Sequence, residues 1–168
     1  TASLGTAARV ENPELGQVVS IPVSIAGTVE VKGVLARVLF DPAFVAFRSF
    51  EVGDITQDAQ DLTSPVRERQ EGLAVVDGGS ALFGAGLTVA TSGGLLGTFN
   101  LEVIAEVPET GTVISVILVE VNTSGEDEDR DQLAFPPGEL AVTLIPVFPN
   151  AIERVEVDRF PNRAVIRW

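Results

Sequence analysis

The 168-residue sequence contains no histidine, no cysteine, no tyrosine and no methionine, and it has one tryptophan and one lysine. Without His, Cys or Tyr, serine-type triads, thiol nucleophiles, imidazole general bases and zinc sites of the usual ligand sets are all excluded. Only carboxylates remain for acid–base work. A paired-carboxylate glycosidase would need aromatic platforms in a cleft, and Trp168 is the sole strong stacker, so no enzymatic activity is expected. The same shortage argues against carbohydrate binding, because sugar faces are held by stacked aromatics, and the nine Phe are expected mostly in the core. Absent cysteines carry no redox signal of their own. A formal charge of −13 and a pI near 4.2 disfavour nucleic acid and anionic membranes, which require clustered Lys and Arg. No apolar run approaches the ~20 residues that cross a bilayer, so membrane insertion is not expected. The missing methionine suggests a processed or excised chain, for which a removed secretion signal is one explanation.

What is present is apolar and β-patterned. Hydrophobic residues make up 45% of the chain and mean hydropathy is +0.31, which excludes a disordered chain. The length suits one domain with a substantial core and a short appendage. Short β-branched-rich runs separated by Gly, Pro, Asn and Asp predict strands over residues 6–10, 18–25, 34–40, 45–50, 73–76, 80–85, 98–107, 112–121 and 139–144. Nothing reads as a long helix, and the polar stretch 52–70 reads as a crossing loop that could hold a helical turn. Glycines at 78, 79, 84, 86, 93, 94 and 97 are expected at bulges and corners between short strands.

The most identifying stretch is residues 33–47, GVLARVLFDPAFVAF, a strand ended by an aromatic-Asp-Pro corner, since Pro42 has no N–H for a ladder. Upstream lies GQVVSIPVSI (16–25), and downstream GLLGTFNLEV (94–103), then residues 112–121 and GELAVTL (138–144). In this order and spacing the motifs resemble the cohesin family of extracellular β-sandwich modules, over roughly residues 6–145. The resemblance implies an all-β, cohesin-like jelly-roll β-sandwich of about nine strands over residues 1–145. It further implies an extracellular or cell-surface location, and it places the strand over 34–40 on the face that receives dockerin helices. Period-two alternation, with Ala36, Val38 and Phe40 inward, sets Leu35, Arg37 and Leu39 on the opposite face as candidate partner-binding residues. Exposed apolar groups flanking an arginine suit a protein–protein contact, whether the cover is a partner protein or the chain's own C-terminal hairpin or a neighbouring domain. The polar contact residues expected for inherited dockerin recognition are not seen on that strand.

After residue 145 the chain changes character. Residues 146–168 read as a Pro-containing linker and a β-hairpin turning at Phe160-Pro-Asn-Arg163, similar to the opening hairpin of a fibronectin type III domain. Two strands alone bury too little surface to be stable, so the hairpin is expected to cap its own sandwich, to be donated to a neighbour, or to begin a further domain. Val155, Val157, Val165 and Trp168 are its candidate intersubunit or interdomain contacts. The acidic run Glu126-Asp-Glu-Asp-Arg-Asp131, expected in the loop between the last two strands, offers Asp127, Asp129 and Asp131 as candidate Ca²⁺ ligands. It lacks the glycine and distal Glu of an EF-hand, and a solvated charged loop is the simpler reading. In the cohesin family calcium belongs to the dockerin partner, and no cofactor is otherwise expected. Two functions follow: a non-catalytic module docking a dockerin-type or other partner protein, or a self-assembling filament or surface-layer subunit joined to further copies by strand complementation.

Overall fold

Residues 33–40 form a strand because seven of their eight side chains are apolar or glycine, and they pair on both sides, so both backbone edges are satisfied within a sheet. In the computed structural model, residues 1–5, 8–27, 30–84, 88–123, 130–148, 156–160 and 163–167 are described. In chain order the strands are β1 (Ala2–Leu4), β2 (Arg9–Glu11), β3 (Val18–Ala26), β4 (Glu30–Val31), β5 (Gly33–Phe40), β6 (Val45–Val52), β7 (Gln60–Asp61) and β8 (Arg67–Glu68). They continue with β9 (Ala74–Ala81), β10 (Val89–Ala90), β11 (Gly93–Val103), β12 (Thr112–Asn122), β13 (Arg130–Ala134), β14 (Ala141–Ile145), β15 (Glu156–Phe160) and β16 (Arg163–Arg167). Two 3₁₀ turns, Asp54–Thr56 and Gln70–Gly72, are the only helical elements among the described residues.

One sheet runs β1-β3-β11-β6. The other runs β2-β14-β12-β5-β9-β7, with β13 also on β12 and β8 also on β9. Only β14 and β2 pair in parallel within it. Every second side chain of each sheet enters a single core. From the first sheet come Ile21, Val23, Phe99 and Leu101, and from the second Val38, Phe40, Val76, Ile114 and Leu144, none more than 1% exposed. The Asp-Pro corner behaves as the sequence predicts. Asp41 accepts the Ala43 amide through Oδ1 (2.9 Å) and the Phe44 and Val45 amides through its carbonyl, which starts β6.

Several expected boundaries are corrected. The strands expected over 73–76 and 80–85 are one continuous strand, β9, that passes through Asp77-Gly78-Gly79. Gly78 is there for packing and not for a turn: a Cβ on it would lie 2.3 Å from Cδ2 of Phe50, which reaches across from β6 of the other sheet. The strand expected over 98–107 starts earlier, at Gly93, and ends at Val103. Thus Gly93, Gly94 and Gly97 lie in β11, where Gly97 follows a bulge and gives way to the same Phe50 ring, a Cβ there being 2.1 Å from Cζ. The polar stretch 52–70 does contain a 3₁₀ turn, and it also lays β7 and β8 along the edge of β9. The turn is anchored by Thr56, whose buried hydroxyl pairs with that of Ser80.

Beyond the sandwich, β15 and β16 pair antiparallel, with Phe160 opposite Arg163, as the two-residue turn between them predicts. They form a two-stranded sheet of their own.

Candidate protein-docking face

Because β5 lies between β12 and β9, its inward side chains Val34, Ala36, Val38 and Phe40 are at most 4% exposed, and Leu35, Arg37 and Leu39 come to the outer face, each half-buried. Register sets Leu35 between Glu120 and Gly79, Arg37 between Leu118 and Asp77, and Leu39 between Ser115 and Val75. A bulge between Val116 and Leu118 shifts the ladder by one residue and keeps Leu118 on this outer face. With Val113, 44% exposed, Leu35, Leu39 and Leu118 form an apolar surface on β5 and β12, bordered by the buried outer residues of β9.

Arg37 does not stand free between its two leucines. Its Nε and Nη2 bind the two carboxylate oxygens of Asp77 at 2.5 and 2.9 Å, and Arg67 on β8 binds Asp77 from the other side. The Asp77 amide is bound by the Ser64 hydroxyl oxygen at 2.9 Å. Burial alone would raise the Asp77 pKa, but the Arg37 hydrogen bond and the charges of Arg37 and Arg67 outweigh it and hold the carboxyl below its ordinary value. Asp77 in turn raises the Arg37 pKa through the same hydrogen bond. The cluster is two guanidiniums on one carboxylate, and Glu120, opposite Leu35 on the same face, also acts on Arg37 through its charge, so this face carries a centre of mixed charge. Sequence reading identified Arg37 and missed Asp77 and Arg67. The signal for Asp77 was there: one acid inside the apolar run AVVDGG, at the position that faces Arg37 across the ladder.

Each end of the face is concave. At the Leu39 end, Leu39, Leu73, Val113, Ser115 and Pro137 line a depression of about 420 Å³. At the Leu35 end, Lys32, Ala81, Phe83 and Asn122 line one of about 370 Å³, and the Phe83 ring is 64% exposed.

The outer face of the opposite sheet is built differently. Ser20 donates to Asn100 Oδ1 (2.7 Å), Asn100 Nδ2 donates to Ser49 and Glu51 (3.1 and 2.9 Å), and Arg48 pairs with Glu102 (2.5 Å). Apart from Val18, 52% exposed beside Glu102, its polar groups satisfy one another across three strands, which makes it a largely solvated surface.

The other predicted sites lie elsewhere. Asp131 is not in a loop; it sits in β13, opposite Val121. Asp127 and Asp129 are outside the described residues, among which no three acidic side chains gather as a metal site. In the hairpin, Val157 is the register partner of Ile166 and Val165 that of Asp158, so the two valines fall at consecutive register positions. Val155 and Trp168 are outside the described residues.

No family model matches the chain, and no curated protein matches its sequence. Solved structures do match its backbone. A non-cellulosomal cohesin from the archaeon Archaeoglobus fulgidus is 15% identical, with 88% of this chain and 91% of that one covered and a TM-score of 0.53. A type I cohesin–dockerin complex from Clostridium thermocellum gives 14% identity, 88% and 99% coverage and a TM-score of 0.55. A cohesin module of a family 33 glycoside hydrolase from Clostridium perfringens gives 13%, 87% and 96%, and 0.53. With its two sheets and nearly its whole sandwich superposing on such modules, the chain has the cohesin fold.

Proposed function

We propose that this protein is a non-catalytic docking module that works outside the cell or at its surface and binds a partner protein through the outer face of β12, β5 and β9. The observation that carries this reading is the asymmetry between its two outer faces. One is largely polar and internally hydrogen-bonded, while the other presents Leu35, Leu39, Leu118 and Val113 around a charged centre that is already tied down. An apolar surface of this kind, interrupted by an arginine, is what a protein interface uses and what a purely solvated surface avoids. The Clostridium thermocellum relative in fold is a cohesin bound to a dockerin, which supports a dockerin-type partner here. With Leu35 and Leu39 where polar contacts would be expected, recognition rests on apolar burial more than on hydrogen bonds.

The test is affinity capture from the secreted and cell-wall fractions of the source organism, with the wild-type chain and a Leu35→Asp/Leu39→Asp variant as baits. Both side chains are half-buried on an outer face, so the variant keeps its fold, checked by circular dichroism. Capture of a defined protein by the wild type and its loss with the variant supports the reading. An identical set of captured proteins from both baits refutes it.

A second reading, assembly of further copies through the C-terminal hairpin, is favoured by one observation: among the described residues β15 and β16 pair only with each other. Light scattering of the full chain against residues 1–145 decides it, since a strand-donating subunit loses its assemblies on truncation and a docking module stays monomeric in both forms.

A further inference from the structure

At the end of the sandwich where β14 leaves the sheet lies a concavity of about 530 Å³. Asn12, Pro13, Glu106, Val107, Pro108, Glu109, Pro146 and Phe148 line it. Its lining mixes polar and apolar groups: Val107, buried, three prolines and Phe148 stand beside Asn12 and two glutamates. The Phe148 ring, 62% exposed, lines it together with Glu106 and Glu109, neither of which is in an ion pair among the described residues.

The chain is steered into this place. Asn12 adopts a left-handed backbone (φ 48°), uncommon for any residue but glycine. From it the amide donates to the Ile145 carbonyl (2.9 Å) and the side-chain Oδ1 accepts the Val147 amide (2.7 Å). The exit of the chain from the sandwich is therefore clamped as far as Val147, and Phe148 is delivered to the concavity.

Charge is divided unevenly between the two parts of the sequence. Residues 1–145 hold 21 acids and seven bases, a net −14, whereas residues 146–168 hold four arginines and three acids, a net +1. All the arginines that follow the clamp are in this last segment, and three of them, Arg159, Arg163 and Arg167, belong to the β15–β16 hairpin.

We propose that this concavity is the docking site for the protein's own C-terminal hairpin. Eight residue steps separate Phe148 from Glu156, a reach of up to ~26 Å, so a hairpin tethered at Phe148 covers the whole concavity without strain. A two-stranded hairpin is marginal alone and gains stability only by burying one side against something else. The concavity supplies the exposed Phe148 ring and three prolines for that burial and two glutamates for the arginines. Tethering raises the effective concentration of the hairpin at this site far above that of any other copy, which favours its own sandwich over a neighbour's. The docked hairpin would then lie at the end of the sandwich and leave the β12-β5-β9 face free.

The chain carries its own probe, because its single tryptophan, Trp168, directly follows Arg167. The experiment measures the Trp168 emission maximum and acrylamide quenching in the full chain at low and high salt, over a wide range of protein concentration. The same is done for Phe148→Ala and Glu106→Gln/Glu109→Gln. A docked hairpin gives a blue-shifted, quench-protected emission that does not vary with concentration and weakens in both variants. Each exposed ion pair removed lowers the docked-to-free ratio by about two- to fivefold, as does added salt. All three substituted side chains are exposed, so far-UV circular dichroism melts of the sandwich stay unchanged and separate loss of docking from loss of fold. Emission of a water-exposed tryptophan at low salt overturns the proposal. So does shielding that the variants leave intact, which puts the hairpin elsewhere, and shielding that rises with concentration, which makes a second copy the occupant.

Discussion

The Phe50 ring is held between two glycines, one from each sheet, and the size of that constraint can be worked out. On Gly78 a Cβ would meet Cδ2, Cγ and Cε2 of Phe50 at 2.3, 2.6 and 2.8 Å, and its three nearest neighbours all belong to that ring. To reach an ordinary contact the ring would have to retreat by more than 1 Å, roughly, and it has nowhere to go. Gly97 lies against its far side, where a Cβ would be 2.1 Å from Cζ, and Phe99 packs on it with centroids 4.8 Å apart. Gly78 has no left-handed φ, so an alanine there pays nothing at the backbone. Gly78→Ala is therefore an overpacking substitution, worth about 2–3 kcal/mol, the upper part of the usual range because no neighbour yields. For a chain of this size that lowers Tm by about 4–12 °C. Phe50→Ala, by removing a buried aromatic, costs about 3–5 kcal/mol and leaves a cavity between the two glycines. In that background the methyl of Gly78→Ala enters empty space, and its effect changes sign, to neutral or stabilising. Urea unfolding followed by far-UV circular dichroism for the wild type, both single variants and the double variant measures the coupling. Additive free energies, or a Gly78→Ala variant within about 0.5 kcal/mol of wild type, would refute the claim that this glycine exists to admit Phe50.

Asp77→Asn should destabilise the protein by about 1–2 kcal/mol near neutral pH, a discounted figure because Arg37 and Arg67 are 31% and 49% exposed. The Asp77 pKa is lowered in the fold, so its contribution is fully present above the ordinary carboxylate value of ~3.9 and is lost as pH falls through the folded value below that. Unfolding curves of wild type and variant should run parallel from pH 5 to 8, on the order of that window, and converge in stronger acid; a gap that persists there would contradict the assignment. Asn12→Gly keeps the left-handed backbone but frees the Val147 amide, which should lose its protection in amide exchange at little cost in global stability. Asn12→Ala adds a backbone penalty of about 1–2 kcal/mol, and equal stability of the two variants would show that φ at this position is not constrained.

Much of the sandwich is legible in the sequence because alternation and β-branching report burial directly. The strand from Gly33 to Phe40, its inward and outward sides, and the stop at Asp41-Pro42 follow from residue type alone. What local reading misses is long-range. Gly97 does follow a bulge, as expected, but Gly78 and Gly79 look like bulges or corners too, because a glycine that makes room for an aromatic 28 residues before it in the chain, as Gly78 does for Phe50, has the same letter as one that turns the chain. Asp131 looks like part of a solvated loop, because nothing near it announces that residues 130–134 will pair with the second half of β12. Arg37 reads as a free interface cation because its partner Asp77 is 40 residues away and meets it only through the β5–β9 register. In each case the missing information is a pairing, and pairings are decided by which core side chains must interdigitate.

That dependence on register also bears on how the docking face would work. Leu35, Arg37 and Leu39 stand on a strand that is hydrogen-bonded on both sides, and the alternate residues Ala36 and Val38 are fully buried beneath them. Arg37, which as an exposed side chain would lose much rotamer freedom on binding, is already fixed by its fork onto Asp77. A partner arriving at this face orders little that is not ordered already, and its binding free energy is offset less by entropy than it would be at a loop. The centre itself holds two guanidiniums, the Asp77 carboxylate they share and the neighbouring Glu120, so its charges are largely balanced within the face, and a partner docking there would draw its free energy chiefly from apolar side chains buried at the two concave ends.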